Sequence, residues 1–151
     1  MINIICIGKI KEKYMVDAIN DYQKRISKYT KINIIELPNY NSDNIIDILE
    51  HEKELILKNI KNKDYIITLE IEGKQLDSVS FSNKIEEVFN HNSCIDFIIG
   101  GSYGIHQDIK NISNYSLSFS KMTFPHQLFR LILLEQIYRS FKIQNNETYH
   151  K

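Results

Sequence analysis

The sequence predicts an α/β fold: one domain over residues 1–151, built on a parallel sheet with helices on both faces. Two observations carry this. Runs such as Ile2 to Gly8 and Ile95 to Ile99 are short and largely apolar, as strands buried on both sides are. They alternate with segments whose apolar residues recur at helical spacing, the order of β-α units. A length of 151 residues with 42% hydrophobic and 25% charged content is ordinary for one domain with its own core.

Taken in order, Ile2 to Gly8 is the first strand. Tyr14 to Ser27 follows as a helix with Met15, Ala18, Ile19, Tyr22 and Ile26 at helical spacing. Ile32 to Leu37 is a strand, Asp43 to Ile60 a helix and Tyr65 to Ile71 a strand, after which a turn is expected around Gly73. Ser80 to Phe89 reads as a helix and Ile95 to Ile99 as a strand ending in glycines. A helical turn near Ile105 to Ile109, a brief strand near Tyr115 to Phe119 and a long helix from Pro125 to Ile143 complete the chain. Pro125 can open that helix because its missing N–H would be unpaired in the first turn anyway. Leu128, Phe129, Leu131, Ile132, Leu133, Leu134, Ile137, Tyr138 and Phe141 cover more of the helix than one core-facing stripe requires. One face is therefore expected to pack against a second subunit, as a symmetric homodimer; the alternative is a helix sunk between layers of its own chain.

The net charge is zero, but it is unevenly distributed. Residues 9 to 31 carry seven Lys/Arg against three acids and residues 121 to 151 carry five against two, whereas residues 36 to 96 carry six against thirteen. If the two basic ends meet in the fold, they form a surface that attracts phosphates; otherwise they are solvated helix faces. Cys6 and Cys94 sit in or beside apolar runs with no second cysteine at ligand spacing, and read as buried thiols of a reducing compartment. No signal-peptide pattern and no membrane-length apolar stretch is present, so a cytoplasmic location is expected. There is no HExxH and no close His/Cys/Asp cluster, so no metal is expected.

Two segments stand out as a candidate site. Leu117 to Arg130 combines the hydroxyls of Ser118, Ser120 and Thr123 with the cation of Lys121 ahead of Pro125; it is either a ligand-binding turn or a capped loop entering a core helix. Ile98-Ile-Gly-Gly-Ser-Tyr-Gly-Ile-His106 places three glycines directly after a strand, where α/β sheets bind ligands and where backbone can approach a cofactor closely. The first strand is followed by Gly8-Lys-Ile-Lys-Glu12 instead of GxGxxG, and no GxxxxGK[ST] occurs, which argues against a dinucleotide fold of the ordinary type and against a P-loop. Gly100, Ser102 and Gly104 match the register of a GxSxG nucleophile elbow, so a small serine hydrolase with Asp108 and His126 or His150 is a rival; a non-catalytic RNA-binding module is another.

Phe97 to His106, Leu117 to Arg130, Leu134-Glu-Gln-Ile-Tyr-Arg139 and the terminal Tyr149-His-Lys151 together resemble the SPOUT-class ribosomal RNA large subunit methyltransferase H family. Ile7 to Tyr14 and Thr68 to Lys74 extend the resemblance essentially from end to end. The resemblance implies a C-terminal trefoil knot, a homodimer, S-adenosyl-L-methionine as cofactor, and methylation of N3 of a pseudouridine in 23S rRNA. By motif it assigns cofactor contacts to Leu69, Gly100, Phe119, Ser120, Lys121, Met122, Thr123 and Phe124. The pseudouridine N3–H is a weakly acidic imide whose proton must leave before attack on a sulfonium methyl. His150 is the candidate for handling that proton, Tyr149 for orienting the base, and Arg139 for contacting RNA phosphate or the developing anion. His126 is expected to start the last helix and shape the pocket. An assembled ribosome is the expected partner, since the basic segments are small for gripping a large RNA.

Overall fold

The computed structural model describes residues 1–151. Its elements are β1 (Ile2–Ile7), α1 (Lys13–Ile26), β2 (Ile32–Leu37), α2 (Ile45–Leu57), β3 (Tyr65–Gln75), α3 (Ser78–Phe89), β4 (Ile95–Ile99), α4 (Gln107–Ile112), β5 (Tyr115–Ser118) and α5 (His126–Gln144). The five strands form one sheet in the order β2-β1-β4-β3-β5, and every neighbouring pair is parallel. Strand alternation divides the apolar residues between two cores. Ile2, Ile4, Cys6, Ile95, Phe97 and Ile99 point to one face and meet Ile19 and Ile26 of α1, Phe81 and Ile85 of α3, and Leu133 to Phe141 of α5. Ile5, Ile7 and Ile98 point to the other, against Ile56 of α2 and Ile109 of α4. Both faces are covered, as the largely apolar runs require.

Local chemistry sets the helix starts. The Asn44 side chain accepts from the Ile46 N–H at 2.9 Å and that of Asp77 from the Ser80 N–H at 2.7 Å, each satisfying an amide of the first turn. Pro125 lies just outside α5, as its N-cap, with extended ψ of 135°; the first helical residue is His126. α5 lies against both α1 and α3, so its own chain takes up much of the broad apolar circumference. Leu131 and Ile132 remain half-buried and Leu128 is exposed.

The expected turn at Gly73 does not form: β3 runs on through it to Gln75. The register against β5 jumps between Leu69 and Lys74, which marks an irregularity in place of a turn. Gly73 is required there because a Cβ would lie 2.7 Å from the Leu117 carbonyl carbon and 2.8 Å from that of Ser116. Gly73→Ala should push β5 from β3 and lower unfolding stability by roughly 1–3 kcal/mol, the range for overpacking. Urea denaturation monitored by circular dichroism checks this; an unchanged midpoint refutes it.

Candidate active site

The carboxyl ends of β3, β4 and β5 and the start of α5 enclose a cavity of about 320 Å³, within the range of small-ligand pockets. Its apolar walls come from Leu69, Ile99, Leu117, Phe119, Phe124 and Phe129. Phe119 and Phe129 meet edge to face at 5.1 Å, and Phe124 stacks on Phe129 at 6.1 Å, so the aromatic wall is internally packed. Its polar groups include Glu70, Glu72, Ser102, Ser120 and Thr123. Glu70 accepts from the Thr68 hydroxyl at 2.6 Å and pairs with Lys110 at 3.2 Å, whereas Glu72 is exposed. Burial, and secondarily Arg130, holds the His126 pKa below its usual value, which favours a neutral imidazole at the cavity edge.

The glycine cluster forms the floor. Gly101 and Gly104 make an isolated antiparallel bridge, the Gly104 N–H donates to the Gly101 carbonyl at 3.1 Å, and Gly104 has φ of +84°, a value that suits glycine. A Cβ on Gly100 would lie 2.7 Å from the Gly104 carbonyl carbon. Gly100 is thus glycine so that the loop can close on itself; the sequence reading had placed the open space on the ligand side. Glu52 of α2 braces the loop from behind. Its carboxylate would sit 2.7 Å from a Cβ on Gly101, and it is buried, so desolvation raises its pKa while a hydrogen bond from the Gly101 backbone pulls the other way. Nothing in the helical pattern of α2 marked Glu52 as different from its solvated neighbours.

Of the eight residues assigned to cofactor by resemblance, seven line this cavity: Leu69, Gly100, Phe119, Ser120, Met122, Thr123 and Phe124. Lys121 does not; its side chain is exposed to solvent. His126 lines the cavity as well, at the first position of α5. Ser102 also lines it, but donates to no histidine, and the only non-glycine residue with positive φ is Asn146, so the strained geometry of a nucleophile elbow is absent. The Asp108 carboxylate is engaged by Lys53 at 3.2 Å, and its backbone N–H donates to the capping His106 Nδ1 at 3.0 Å, which leaves the hydrolase reading without a triad.

Tyr149, His150 and Arg139 come together, but elsewhere. Arg139 Nε donates to Glu135 Oε1 at 3.1 Å, and the Tyr149 hydroxyl donates to the same oxygen at 3.1 Å. The guanidinium lies over the Tyr149 ring at 4.8 Å, and Nη1 is 3.2 Å from His150 Nδ1. A guanidinium has only donors, so Nδ1 accepts and the ring proton of the neutral imidazole is on Nε2. Burial, together with Tyr22 and Glu135, pushes the Tyr149 pKa up, so the phenol stays protonated. Glu135 organises this cluster and was missed as a site residue; its signal was the i,i+4 spacing to Arg139 inside a segment already singled out. The tail is pinned, not frayed: Asn146 turns the chain at φ 52°, and Glu147 pairs with Lys142 and accepts from the Tyr29 hydroxyl at 2.7 Å. Arg139 follows the cavity residues His126 and Phe129 by thirteen and ten positions of α5, a rise of about 15–20 Å from those residues to the guanidinium within one chain.

The two basic segments meet where α1 lies against α5, with Arg25 and Lys142 over the same Tyr138 ring at 5.8 and 5.5 Å, but much of their charge is paired internally: Arg130 with Glu36, Arg139 with Glu135 and Lys142 with Glu147.

Fold and cavity define an α/β protein with a small-ligand site at the carboxyl edge of a parallel sheet. The family model described as "Predicted SPOUT methyltransferase" matches residues 1–150. A protein of Methanococcus maripaludis named "Putative ribosomal RNA large subunit methyltransferase H" is 56% identical, covering 99% of both chains. A "Ribosomal RNA large subunit methyltransferase H" of Clostridium botulinum is 50% identical at the same coverage. The structure of "a probable methylase family protein" from Haemophilus influenzae shares the fold at a TM-score of 0.61 and 10% identity, over 99% of this chain and 70% of that one. The chain belongs to the SPOUT methyltransferase family.

Gly100→Ala should displace the loop and weaken binding of S-adenosylmethionine by roughly 1–3 kcal/mol, read by calorimetry. Glu52→Ala should weaken it as well without lining the cavity, raising the cofactor KM more than it lowers kcat. Unchanged affinity in both variants would remove the floor from the binding site.

Proposed function

We propose that this chain is an S-adenosylmethionine-dependent methyltransferase acting on N3 of a pseudouridine in 23S ribosomal RNA, on the assembled ribosome. The observation that carries it is the single cavity lined by seven of the eight residues that the motifs assign to the cofactor. Its shape and chemistry suit that molecule: aromatic and aliphatic walls for an adenine, a glycine-rich loop floor, and the Glu72 carboxylate, beside the Glu70–Lys110 pair, on a side that favours a cationic centre. When bound there, the cofactor supplies an electrophilic methyl group. Relatives named as ribosomal RNA large subunit methyltransferases across the full length support RNA as the acceptor.

The chain's own contribution is position and charge. Attack by N3 needs the reacting atoms aligned at van der Waals distance, and a tail cluster whose guanidinium lies about 15–20 Å along α5 from the cavity residues of that helix does not meet this within the same chain. The rim of the cavity is apolar and open, with Ile71 45%, Tyr103 53% and Met122 74% exposed. A second copy that covers this rim and brings its own tail to it accounts for both facts, so the functional unit is a homodimer with composite sites. In each site the tail of one copy presents Tyr149 to the base and the His150 Nε2–H to a pyrimidine carbonyl. That hydrogen bond spreads the negative charge left when the N3 proton departs to solvent. Arg139, neutralised by Glu135, holds the imidazole in the donating tautomer. The same reading includes the C-terminal trefoil knot, supported by the return of α5 from the β5 edge to a place between α1 and α3.

Methyl transfer from labelled cofactor to naked 23S RNA, isolated large subunits and whole ribosomes tests the activity; incorporation is expected in ribosomes, and none in any substrate rejects it. Deleting Tyr149 to Lys151 should abolish transfer while leaving cofactor affinity within about twofold, the scatter for distant, independent sites. Mixing this tailless protein with a Gly100→Leu protein that cannot bind cofactor should restore activity, since a mixed dimer holds one intact pocket and one intact tail. Absence of recovery in verified mixed dimers would place both parts in one chain.

A further inference from the structure

The opposite edge of the sheet carries chemistry that methyl transfer does not use. Register places Asn33, Asn3 and Asp96 side by side across β2, β1 and β4. Asn3 Oδ1 accepts from Asn33 Nδ2 at 2.8 Å, so the Asn3 amide must turn its Nδ2 the other way. There it donates to Asp96 Oδ1 at 2.8 Å and to Cys94 Sγ at 3.3 Å. Asp96 has no exposed surface, yet its Oδ2 has no hydrogen-bond partner. Asp64, the residue before β3, brings a second carboxylate, and one ligating atom each from Asp64, Cys94 and Asp96 lie within 4.8 Å of one another. None of the ion pairs in the protein reaches either carboxylate. The N-terminal ammonium is committed to the Ser93 carbonyl at 2.8 Å.

Two carboxylates and a thiol that converge around an orphaned, buried oxygen lack a positive partner. We propose that Asp64, Cys94 and Asp96 form a structural binding site for a thiophilic divalent cation of the zinc class, with water completing the coordination. One sulfur with carboxylate oxygens favours zinc, cadmium or cobalt over magnesium and calcium, which take oxygen alone. On binding, the Cys94 S–H bond breaks, its proton goes to solvent and the sulfur bonds the metal; nothing is oxidised or reduced. Asn3 is then the outer donor that orients both Asp96 and the sulfur, as ligand-supporting residues do. Asp64 is half-buried and gives the ion a way in from solvent.

The electrostatics of the metal-free cluster agree. Burial, with the charge of Asp64 added, pushes Asp96 up to about 6, and burial with the charge of Asp96 pushes Cys94 up to about 12. Burial is the larger cause of both shifts and the neighbouring carboxylates add to it; the N-terminal ammonium offsets only part of this at Cys94. Because one proton is released, affinity should rise roughly tenfold per pH unit around neutrality. The site would join the amino-terminal edges of β3 and β4, remote from the cavity and independent of the methyltransferase reading.

The test is titration of the chelator-stripped, full-length protein with Co²⁺, followed by Zn²⁺. A thiolate-to-cobalt charge-transfer band should saturate at one equivalent, disappear when zinc displaces cobalt, and be accompanied by a higher melting temperature. Cys94→Ser should lose the band, and Asp96→Asn should weaken binding by about tenfold or more. Cys6→Ser keeps it, and since the chain has only two cysteines, a band in that variant can come only from Cys94. No band in the unchanged protein at saturating cobalt, or a band that survives in folded Cys94→Ser, overturns the site. Should the Cys94 and Asp96 variants fail to fold, the unchanged protein and Cys6→Ser decide the question alone.

Discussion

One buried guanidinium holds the functional end of the molecule together. Arg130, in the second turn of α5 and 2% exposed, donates from Nη2 to the Gly8 carbonyl at 3.1 Å and pairs through Nη1 with Glu36 at 3.2 Å. It therefore ties the carboxyl ends of β1 and β2 to the helix that supplies His126 and Phe129 to the cavity wall and that Phe124 leads into. Pairing and burial are inseparable here. Removing Glu36 would leave the buried guanidinium without its counter-charge, whereas Glu36 itself keeps contact with solvent, so the penalty falls on the arginine side and holds the helix start to the sheet. Since α5 is rigid, the same anchor also fixes where its far end presents Arg139 and the tail.

The glycine loop obeys a second constraint of the same kind. Ile98 and Ile99 end β4 deep in the core, and the chain must turn at once without filling the cavity. The close approach of Gly100 to Gly104 and the positive φ of Gly104 make that turn, and the buried carboxylate of Glu52 closes it from the α2 side. The loop is held from behind by charge and from within by backbone contact, which leaves its front face free. A binding floor made this way is preorganised, and little ordering entropy remains to be lost when a ligand arrives.

Much of this was legible in the sequence because periodicity reports burial directly. β1 and β4 stand out as largely apolar runs, interrupted only by Asn3 and Asp96, since they are buried on both sides, and α5 stands out because two helices and the sheet enclose it. Gly73 was misread: a lone glycine signals a turn from sequence, whereas here it marks a place where β5 backbone presses against β3, a long-range contact with no local signature. Glu52 and the Asp64–Cys94–Asp96 cluster were invisible for a related reason, as their partners lie on different strands. The tail was legible only by resemblance. Three residues beyond a helix carry no periodicity, and the anchors that order them, Tyr29 and Glu135, are distant in sequence or hidden in a helical pattern.

The distribution of cations sets how an RNA can be engaged. Counting Lys and Arg in the basic segments overstates the attraction, because Arg130, Arg139 and Lys142 are neutralised within the fold and Lys13 and Arg25 pair along α1. Near the cavity the unpaired charges are those of Lys9 and Lys11, on the loop that Arg130 anchors, and Lys121 beside the mouth. With so few phosphate contacts per chain, counterion release supplies only a small part of the affinity that large nucleic-acid ligands normally draw on. Discrimination must then come from shape. The composite mouth proposed above, apolar at its rim and bordered by a few lysines, would fit a rigid, already folded RNA surface better than a flexible strand. Lys121 belongs to this account: it is expected among the cofactor contacts, but its side chain lies in solvent between the cavity-lining residues Ser120 and Met122.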